Sequence, residues 1–194
     1  DQKRYKLVDL PGTYSLLSTS PDEKIARDFV LFGQPDVVVV VVDATNLERN
    51  LNLAMQVLQI SNRVVLCLNL MDEAEAHGIE IDHHGLANDL GIPVIPCVAR
   101  NGEGIKDLLA AVREVATGNF KCTPPKLSLN VPGLPEAIRS ISESIQANYP
   151  DVPNPEWIAL QLLDGDSVFL EAVANGTLGI LAEDPHATLV TTNP

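Results

Sequence analysis

Two short motifs carry the residue types best suited to chemistry, and each follows an apolar run typical of a buried strand. Asp9-Leu-Pro-Gly12 follows residues 5–8, and Asn69-Leu-Met-Asp72 follows residues 64–68. In open α/β sheets, ligands bind beyond the carboxyl ends of the strands. We therefore expect both motifs to lie at one ligand-binding edge of a sheet.

The two motifs suit the two ends of a guanine nucleotide. An Asp-x-x-Gly motif at a strand end can reach Mg²⁺ through water and offer its glycine N–H to a terminal phosphate. An Asn-x-x-Asp motif can present its carboxylate to the N1 and N2 donors of guanine. Either motif alone is a weak signal, and residues 69–72 could form an ordinary strand-end turn with a helix cap. Their joint order and position indicate a guanine-nucleotide switch domain.

The sequence has no match to the phosphate-loop pattern G-x-x-x-x-G-K-[ST]. The backbone N–H groups and lysine of that loop provide most of the binding to the β- and γ-phosphates. The chain also begins at Asp1, without an initiator Met, almost inside a predicted strand, and we interpret it as a fragment of a longer protein. We predict that these 194 residues alone bind GTP very weakly and do not hydrolyse it.

Composition excludes several classes of function. A net charge of −13 argues against a nucleic-acid surface, because phosphate binding requires clustered Lys and Arg. Three scattered cysteines, Cys67, Cys97 and Cys122, form no C-x-x-C motif and favour reduced thiols in a reducing compartment. The longest apolar run near the predicted sheet, residues 37–42, is far shorter than the roughly 20 residues of a membrane-spanning helix.

Strand and helix patterns alternate over residues 1–118, which predicts an α/β fold with a parallel, doubly wound sheet. The continuous valine run before Asp43 predicts a strand buried on both faces. The predicted strands are 3–10, 36–43, 63–69 and 94–98, and the predicted helices begin at Ser20-Pro21, at 46, near 86 and at 105. We expect a gap or an unnatural pairing between strands 3–10 and 36–43.

The composition changes after residue 118. Nine of the fourteen prolines lie there, and Thr123-Pro-Pro125 is typical of a linker. Amphipathic patterns over 135–147, 155–163 and 168–174 predict helices. The predicted domains are therefore 1–118 and a small all-α domain, 119–194. We expect this second domain to pack on the first, with Trp157 partly buried in its core.

Longer stretches of the sequence resemble the cytoplasmic G domain and helical domain of FeoB, the bacterial ferrous-iron transporter. The resemblance covers nearly the whole chain, in matching order and spacing. It is carried by Asp9-Leu-Pro-Gly-Thr-Tyr-Ser-Leu16, Ser20-Pro-Asp-Glu23, Ala26-Arg-Asp28, Val42-Asp-Ala-Thr-Asn-Leu-Glu-Arg-Asn-Leu51, Asn69-Leu-Met-Asp-Glu-Ala74, Ile92-Pro-Val-Ile-Pro96, Ala99-Arg-Asn-Gly-Glu-Gly-Ile105, Trp157 and Leu162-Leu-Asp-Gly-Asp166. The implied fold is that of a P-loop GTPase lacking its N-terminal strands, followed by a small all-α domain.

The resemblance implies a role for each residue of the two motifs. Asp9 would bind Mg²⁺ through water, and Gly12 would sense the γ-phosphate at the head of the segment called switch II. Asn69 would brace the base-binding loops, and Asp72 would read guanine. Ala99 would give its N–H to guanine O6. The full implied nucleotide site is Asp9, Gly12, Asn69, Leu70, Asp72, Val98, Ala99 and Arg100.

Three positions depart from common GTPase patterns. Leu70 stands where many have Lys, and Val98 stands where a Ser or Thr often precedes the Ala. Both departures suggest modest affinity and fast exchange. Thr13 stands where many G proteins have the Gln that positions the attacking water. We therefore identify no catalytic residue in this sequence.

The implied cofactors are GTP or GDP and Mg²⁺, with a monovalent cation in the parent protein as a further candidate. The implied partner is a membrane permease portion of the same polypeptide, at the cytoplasmic face of the bacterial inner membrane. The alternative is a non-catalytic regulatory or interaction module that has lost nucleotide binding. A metal site at Glu80, Asp82, His83 and His84 is less favoured than a solvated helix start, because adjacent histidines on a helix point in different directions.

Overall fold

The structure, a computed structural model, describes residues 5–16, 20–125 and 131–183, with the side chains of 181–183 left out. Three strands and nine helices are assigned in these ranges. They are α1 (Pro21–Phe32), β1 (Val38–Asp43), α2 (Leu47–Ile60), β2 (Val64–Asn69), α3 (Met71–Ala76), α4 (His83–Leu90), β3 (Val94–Pro96), α5 (Ile105–Ala116), α6 (Leu134–Asn148), α7 (Pro155–Asp164), α8 (Ser167–Ala174) and α9 (Leu178–Glu183), with 3₁₀ turns at Ala44–Asn46 and Ala99–Asn101.

The three strands form a parallel sheet in the order β1-β2-β3, as the alternating pattern predicts. β1 pairs with β2 from Val38↔Val64 to Asp43↔Asn69, and β2 pairs with β3 from Leu66↔Val94 to Leu68↔Pro96. Residues 64–68 in the central strand are all buried. Because the strands are parallel, their carboxyl ends meet at one edge, where the loops after Asn69 and Pro96 begin.

The start of α1 follows from its sequence. Ser20 accepts a hydrogen bond from the Glu23 N–H, and the Glu23 side chain accepts one from the Ser20 N–H, which closes a capping box. Pro21 occupies the first turn, where its missing N–H costs nothing. The helix ends before Gly33, as predicted.

Two strand predictions are wrong. Residues 5–10 form no strand in the described structure, and Leu7 is 91% exposed. An extended segment becomes a strand only when a neighbour completes its ladder, and no described strand lies between these residues and β1. β1 is also not buried on both faces. It is the edge strand, so Val40 and Val42 pack inward while Val39 and Val41 remain exposed.

The predicted helical tail is confirmed over residues 134–174, and α9 is a fourth helix that the sequence reasoning missed. Trp157 is more buried than predicted, at 8% exposed, and its ring meets the Phe169 ring edge-on at 5.6 Å. The tail contacts the α/β part through Asn154, whose Nδ2 donates to the carbonyls of Gln59 and Ile60 at 2.9 and 3.1 Å. Among the described helices, none is both long and apolar enough to cross a membrane.

Candidate functional site

The ends of β2 and β3 are joined by a direct bond. The Asn69 side-chain oxygen accepts a hydrogen bond from the Ala99 N–H at 3.0 Å. Backbone bonds support it on both sides: the Cys97 N–H donates to Leu68 O at 2.8 Å, and the Met71 N–H donates to Cys97 O at 3.3 Å. The structure therefore brings together the two loops that the sequence placed thirty residues apart, with Asn69 bracing them.

The loop after β3 turns back on itself. The Val98 N–H donates to Glu103 O at 3.1 Å, in an isolated antiparallel bridge. Gly104 adopts a φ of +78°, and a β-carbon there would overlap Pro96 O and crowd the Cys97 sulfur. A glycine is therefore required at this position, and it lets α5 begin directly beside the strand end.

Asp72 lies in the first turn of α3, after a left-handed residue. Leu70 adopts a φ of +62°, a conformation that costs a leucine roughly 1 kcal/mol. The Asp72 Oδ2 forms an ion pair with Arg100 Nη2. The other carboxylate oxygen, Oδ1, is buried and has no hydrogen-bond partner among the described residues. A buried acceptor without a partner is costly, so Oδ1 is suited to accept a donor from a ligand.

The N–H that the resemblance assigns to guanine has a partner within the chain. Ala99 was expected to give its N–H to guanine O6, but in this structure that N–H is bonded to Asn69 Oδ1. A good hydrogen bond needs a nearly straight N–H···O angle, so one N–H forms one good bond at a time. A base at this position could use the Ala99 N–H only if the Asn69 oxygen moved.

The phosphate-side residues are less organised. Asp9 and Gly12 are both exposed and lie in no helix or strand, and a side chain at Gly12 would meet no described atom within 4 Å. Neither lines the cleft of about 300 Å³ at the ends of β1 and β2, which is formed by Tyr14, Val41, Val42, Asp43, Asn46, Arg49, Asn50, Asn69 and Leu70. Tyr14, rather than the Asp-x-x-Gly motif, thus shares this cleft with Asn69.

The Mg²⁺ expectation can be tested against the residues present. No described group of three or more His, Cys, Asp or Glu residues could hold a metal ion. Asp9 offers one exposed carboxylate. Mg²⁺ is commonly bound by one or two carboxylates together with substrate phosphates, so Asp9 fits Mg²⁺ as a partner of a nucleotide and does not form a metal site by itself.

The sequence reasoning missed Asp43, which ends β1 in the same cleft. Its Oδ1 accepts the N–H and the hydroxyl of Thr45, both at 2.7 Å, and its Oδ2 accepts the Asn46 side-chain N–H at 3.1 Å. Hydrogen bonds from Thr45 and then Asn46 lower the pKa of Asp43. The signal was available in Asp43-Ala-Thr-Asn46, because an Asp at the end of a strand and two residues before a Thr is typical of a capping turn.

Gln56 was also missed. Its side-chain oxygen accepts the Leu16 N–H at 2.6 Å and the Ser15 hydroxyl at 3.4 Å. On the same helix, the Arg49 guanidinium lies 4.5 Å from the centre of the Tyr14 ring. α2 therefore holds residues 14–16, just beyond Gly12. No sequence signal indicated this pairing, since a Gln on a helix face is normally solvated.

The region considered for a metal site, Glu80 to His84, contains a helix start, which is the interpretation that the sequence favoured. Asp82 caps α4 by accepting the Gly85 N–H at 2.8 Å, and α4 begins at His83. A larger open groove of about 680 Å³ runs between α2 and residues 79–89. None of the sequence-predicted nucleotide-site residues lines it.

The three thiols are free, as predicted. Cys67 and Cys97 are buried, and burial raises the pKa of Cys67 to about 12. A thiol with so high a pKa carries almost no thiolate near neutral pH and is a poor nucleophile.

Two sequence families match the chain. The family described as "Ferrous iron transport protein B" matches residues 1–112, and the family described as "FeoB cytosolic helical domain" matches residues 132–187. Among curated relatives, the Fe(2+) transporter FeoB of Escherichia coli (strain K12) is 41% identical over 165 residues, which is 82% of this chain and 21% of that protein. The Fe(2+) transport protein A/Fe(2+) transporter FeoB fusion protein of Porphyromonas gingivalis is 37% identical, over 84% of this chain and 20% of the fusion.

Solved structures of FeoB domains also match this chain. The cytosolic domain of the T. maritima FeoB iron transporter in GDP form I superposes with a TM-score of 0.75 at 32% identity, covering 93% of this chain and 74% of that one. The FeoB G-domain from Methanococcus jannaschii gives 0.55 at 47% identity, covering 57% and 70%. The chain therefore spans about a fifth of the length of its curated relatives and most of the length of the solved cytosolic domain.

Proposed function

Since this chain belongs to the ferrous iron transport protein B family, we propose that it is the guanine-nucleotide-binding portion of a ferrous-iron transporter. GTP binding and hydrolysis in the parent protein would be coupled to Fe²⁺ uptake. The relatives' names support the transported ion, and the solved FeoB cytosolic domain in its GDP form supports the nucleotide.

The observation that carries this proposal is the carboxylate of Asp72. It lies where the β2 loop meets the β3 loop, with Oδ2 paired to Arg100 and Oδ1 buried without a partner among the described residues. Guanine offers two adjacent donors, N1–H and N2–H, that match a carboxylate. Adenine offers no such pair, so an adenine base would leave the acceptor unsatisfied. A site built to accept a donor rejects a ligand that lacks it.

The phosphate end rests on Asp9 and Gly12. We propose that Asp9 binds Mg²⁺ through water and that the Gly12 N–H meets the terminal phosphate, while Val98 and Leu70 flank the base. Mg²⁺ would neutralise phosphate charge when bound. The chain itself contributes one carboxylate and one N–H at this end. We assign no catalytic residue, because Thr13 cannot position a water as a Gln does.

We further propose that the helical tail, from about residue 119, is a second domain coupled to switch II. The family matches support the boundary, since they leave residues 113–131 between them. The coupling is supported by Arg27 in α1, which is buried and pairs with Asp28 beside it and with Asp166 at the start of α8, at 2.9 and 3.0 Å. α1 begins nine residues after Gly12 in the chain, and we propose that a movement of the Asp-x-x-Gly segment is transmitted through α1 to this ion pair.

We place the chain at the cytoplasmic face of the bacterial inner membrane, joined to a membrane permease portion of the same polypeptide. The lengths of the relatives support a longer parent protein, because the matched region is about a fifth of each. The matching family name "FeoB cytosolic helical domain" supports the side of the membrane.

Nucleotide titration of the ¹⁵N-labelled chain, followed by NMR to millimolar ligand, tests the proposal. GDP should shift the amides of Asp72 and Ala99. IDP, which lacks the N2 amine, should bind more weakly, and ADP should not shift these amides. Equal binding of ADP and GDP would contradict guanine recognition. No response to any nucleotide would favour the alternative, a non-catalytic interaction module.

A further inference from the structure

Arg100 lies on the carboxylate that the proposed function assigns to guanine. Its Nη2 pairs with Asp72 Oδ2, and its Nη1 lies 3.7 Å from Glu73 Oε1. The Arg100 side chain is 65% exposed, whereas that of Asp72 is 29% exposed. The cation therefore reaches in from solvent to cover a half-buried acceptor.

A guanidinium group resembles the recognition edge of guanine. Each is planar and presents neighbouring N–H donors in a geometry that suits a carboxylate. We propose that Arg100 competes with the guanine base for Asp72 and thereby lowers the affinity of the site and speeds nucleotide exchange. This inference rests on the proposed function, since it names a regulator of the same site.

The ion pair between Arg100 and Asp72 leaves one carboxylate oxygen for a guanine base. Arg100 engages one carboxylate oxygen and leaves Oδ1 without a described partner. A guanine base would satisfy both oxygens at once. The second base-facing group, the Ala99 N–H, is held by Asn69 Oδ1. The Asp72 carboxylate and the Ala99 N–H are thus both bonded within the chain. A guanine base would bind by replacing these two bonds rather than by entering an open site.

The expected size of the effect follows from the exposure of the pair. Solvent-exposed ion pairs are weak, so releasing this one should tighten binding by about two- to fivefold. Arg100→Ala should therefore lower the Kd for GDP by that factor and slow GDP release. Arg100→Lys, which keeps the charge but lacks the planar fork, should fall between the two. Weaker GDP binding by Arg100→Ala would show that Arg100 contacts the nucleotide instead, and would overturn the proposal.

Arg113→Ala is the matched control for charge. Arg113 lies on α5 and is 55% exposed, so its loss changes the net charge equally without touching Asp72. Arg113→Ala should weaken GDP binding slightly or leave it unchanged. A tightening equal to that of Arg100→Ala would mean that net charge, and not competition for Asp72, causes the effect.

A double-mutant cycle isolates the pair. In Asp72→Asn the ion pair is lost, so adding Arg100→Ala should not change the Kd for XDP, the xanthine nucleotide that an Asn would read. A gain of the same two- to fivefold in this background would overturn the proposal.

A measurement without nucleotide separates this inference from the proposed function. The guanidinium NMR signals of Arg100 should shift in Asp72→Asn and stay unchanged in Asp89→Asn, an exposed position on α4. Identical Arg100 signals in the wild type and Asp72→Asn would sink the competition even if GDP binds. Conversely, the Arg100 signals could shift in Asp72→Asn while the wild type shows no preference for GDP over ADP. That result would confirm the Asp72–Arg100 ion pair and refute the assignment of Asp72 to guanine.

Discussion

The base end and the phosphate end of the proposed site are built in different ways. At the base end, Asn69, Ala99 and Cys97 are tied together by hydrogen bonds between two strand ends. At the phosphate end, Asp9 and Gly12 are exposed, outside any helix or strand. The contacts with α2 lie at residues 14–16, where Arg49 meets the Tyr14 ring and Gln56 accepts two hydrogen bonds.

The difference shows what each end requires from the fold. The base end uses two adjacent parallel strands and the short loops that follow them, so the β2 and β3 ladder is sufficient to form it. The phosphate end follows residues 5–8, which have no described strand partner. A recognition motif can therefore be complete in sequence while its geometry depends on elements that lie elsewhere.

Hydrogen exchange should give the largest contrast between the two ends. The amides of Leu66 and Cys97, which donate to Pro93 O and Leu68 O at 2.9 and 2.8 Å, lie in the buried ladder. They should exchange at least about a thousandfold more slowly than the amides of residues 5–10, as expected between a core strand and unpaired backbone. NMR-detected exchange of the free chain measures this. Comparable protection over 5–10 would show that these residues are in a strand after all.

The next largest effect is expected at Arg27, whose ion pairs join α1 to the helical tail. Arg27→Met removes a guanidinium that is 1% exposed, pairs with Asp28 and Asp166, and lies 4.7 Å from the centre of the Phe169 ring. It leaves two carboxylates that are 10% and 12% exposed without their cation. Burial already raises the pKa of Asp28, with Arg27 opposing that rise. We expect a loss of about 3 kcal/mol in the free energy of unfolding, measured in urea.

The control is Arg63→Met, which breaks an exposed contact with Asp36 at 4.0 Å. It should cost less than about 1 kcal/mol. If Arg27→Met costs no more than this control, the buried ion pair does not fasten α1 to the helical tail.

A smaller effect is expected at Gln56, which holds residues 15–16. Gln56→Ala leaves the Leu16 N–H without its acceptor and should cost about 1 kcal/mol. It should also speed proteolytic cleavage within residues 13–16. Asn52→Ala, an exposed change on the same helix, is the control. Equal stability and equal cleavage in the two variants would show that residues 14–16 are held by something other than α2.

Much of the fold could be predicted from local patterns. Ser20, Pro21 and Glu23 define the start of α1, and the apolar run 64–68 becomes the buried central strand. Residues 5–10 also carry apolar residues typical of a strand, but a strand needs a partner that no local pattern reveals. The exposure of Val39 and Val41 has the same origin, because a valine run does not show which strand lies at the edge.

For the site, the sequence pointed to the loops after β2 and β3 but not to the hydrogen bonds and the ion pair between them. The family resemblance implied that Asn69 and Ala99 serve one site, and the structure joins them by a hydrogen bond. The pairing of Asp72 with Arg100, 28 residues apart, could not be foreseen. It depends on how two loops from different strands fold over each other, and charge pattern alone does not determine that.

The central claim is that Asp72 reads guanine, and exchanging its acceptor for a donor tests this most directly. Titration of Asp72→Asn should show GDP affinity at least about tenfold lower and XDP affinity raised, because the amide now matches the O2 of xanthine. Asp89→Asn should behave like the wild type. An inverted preference, with XDP above GDP, is the predicted result; unchanged GDP affinity in Asp72→Asn would contradict the account.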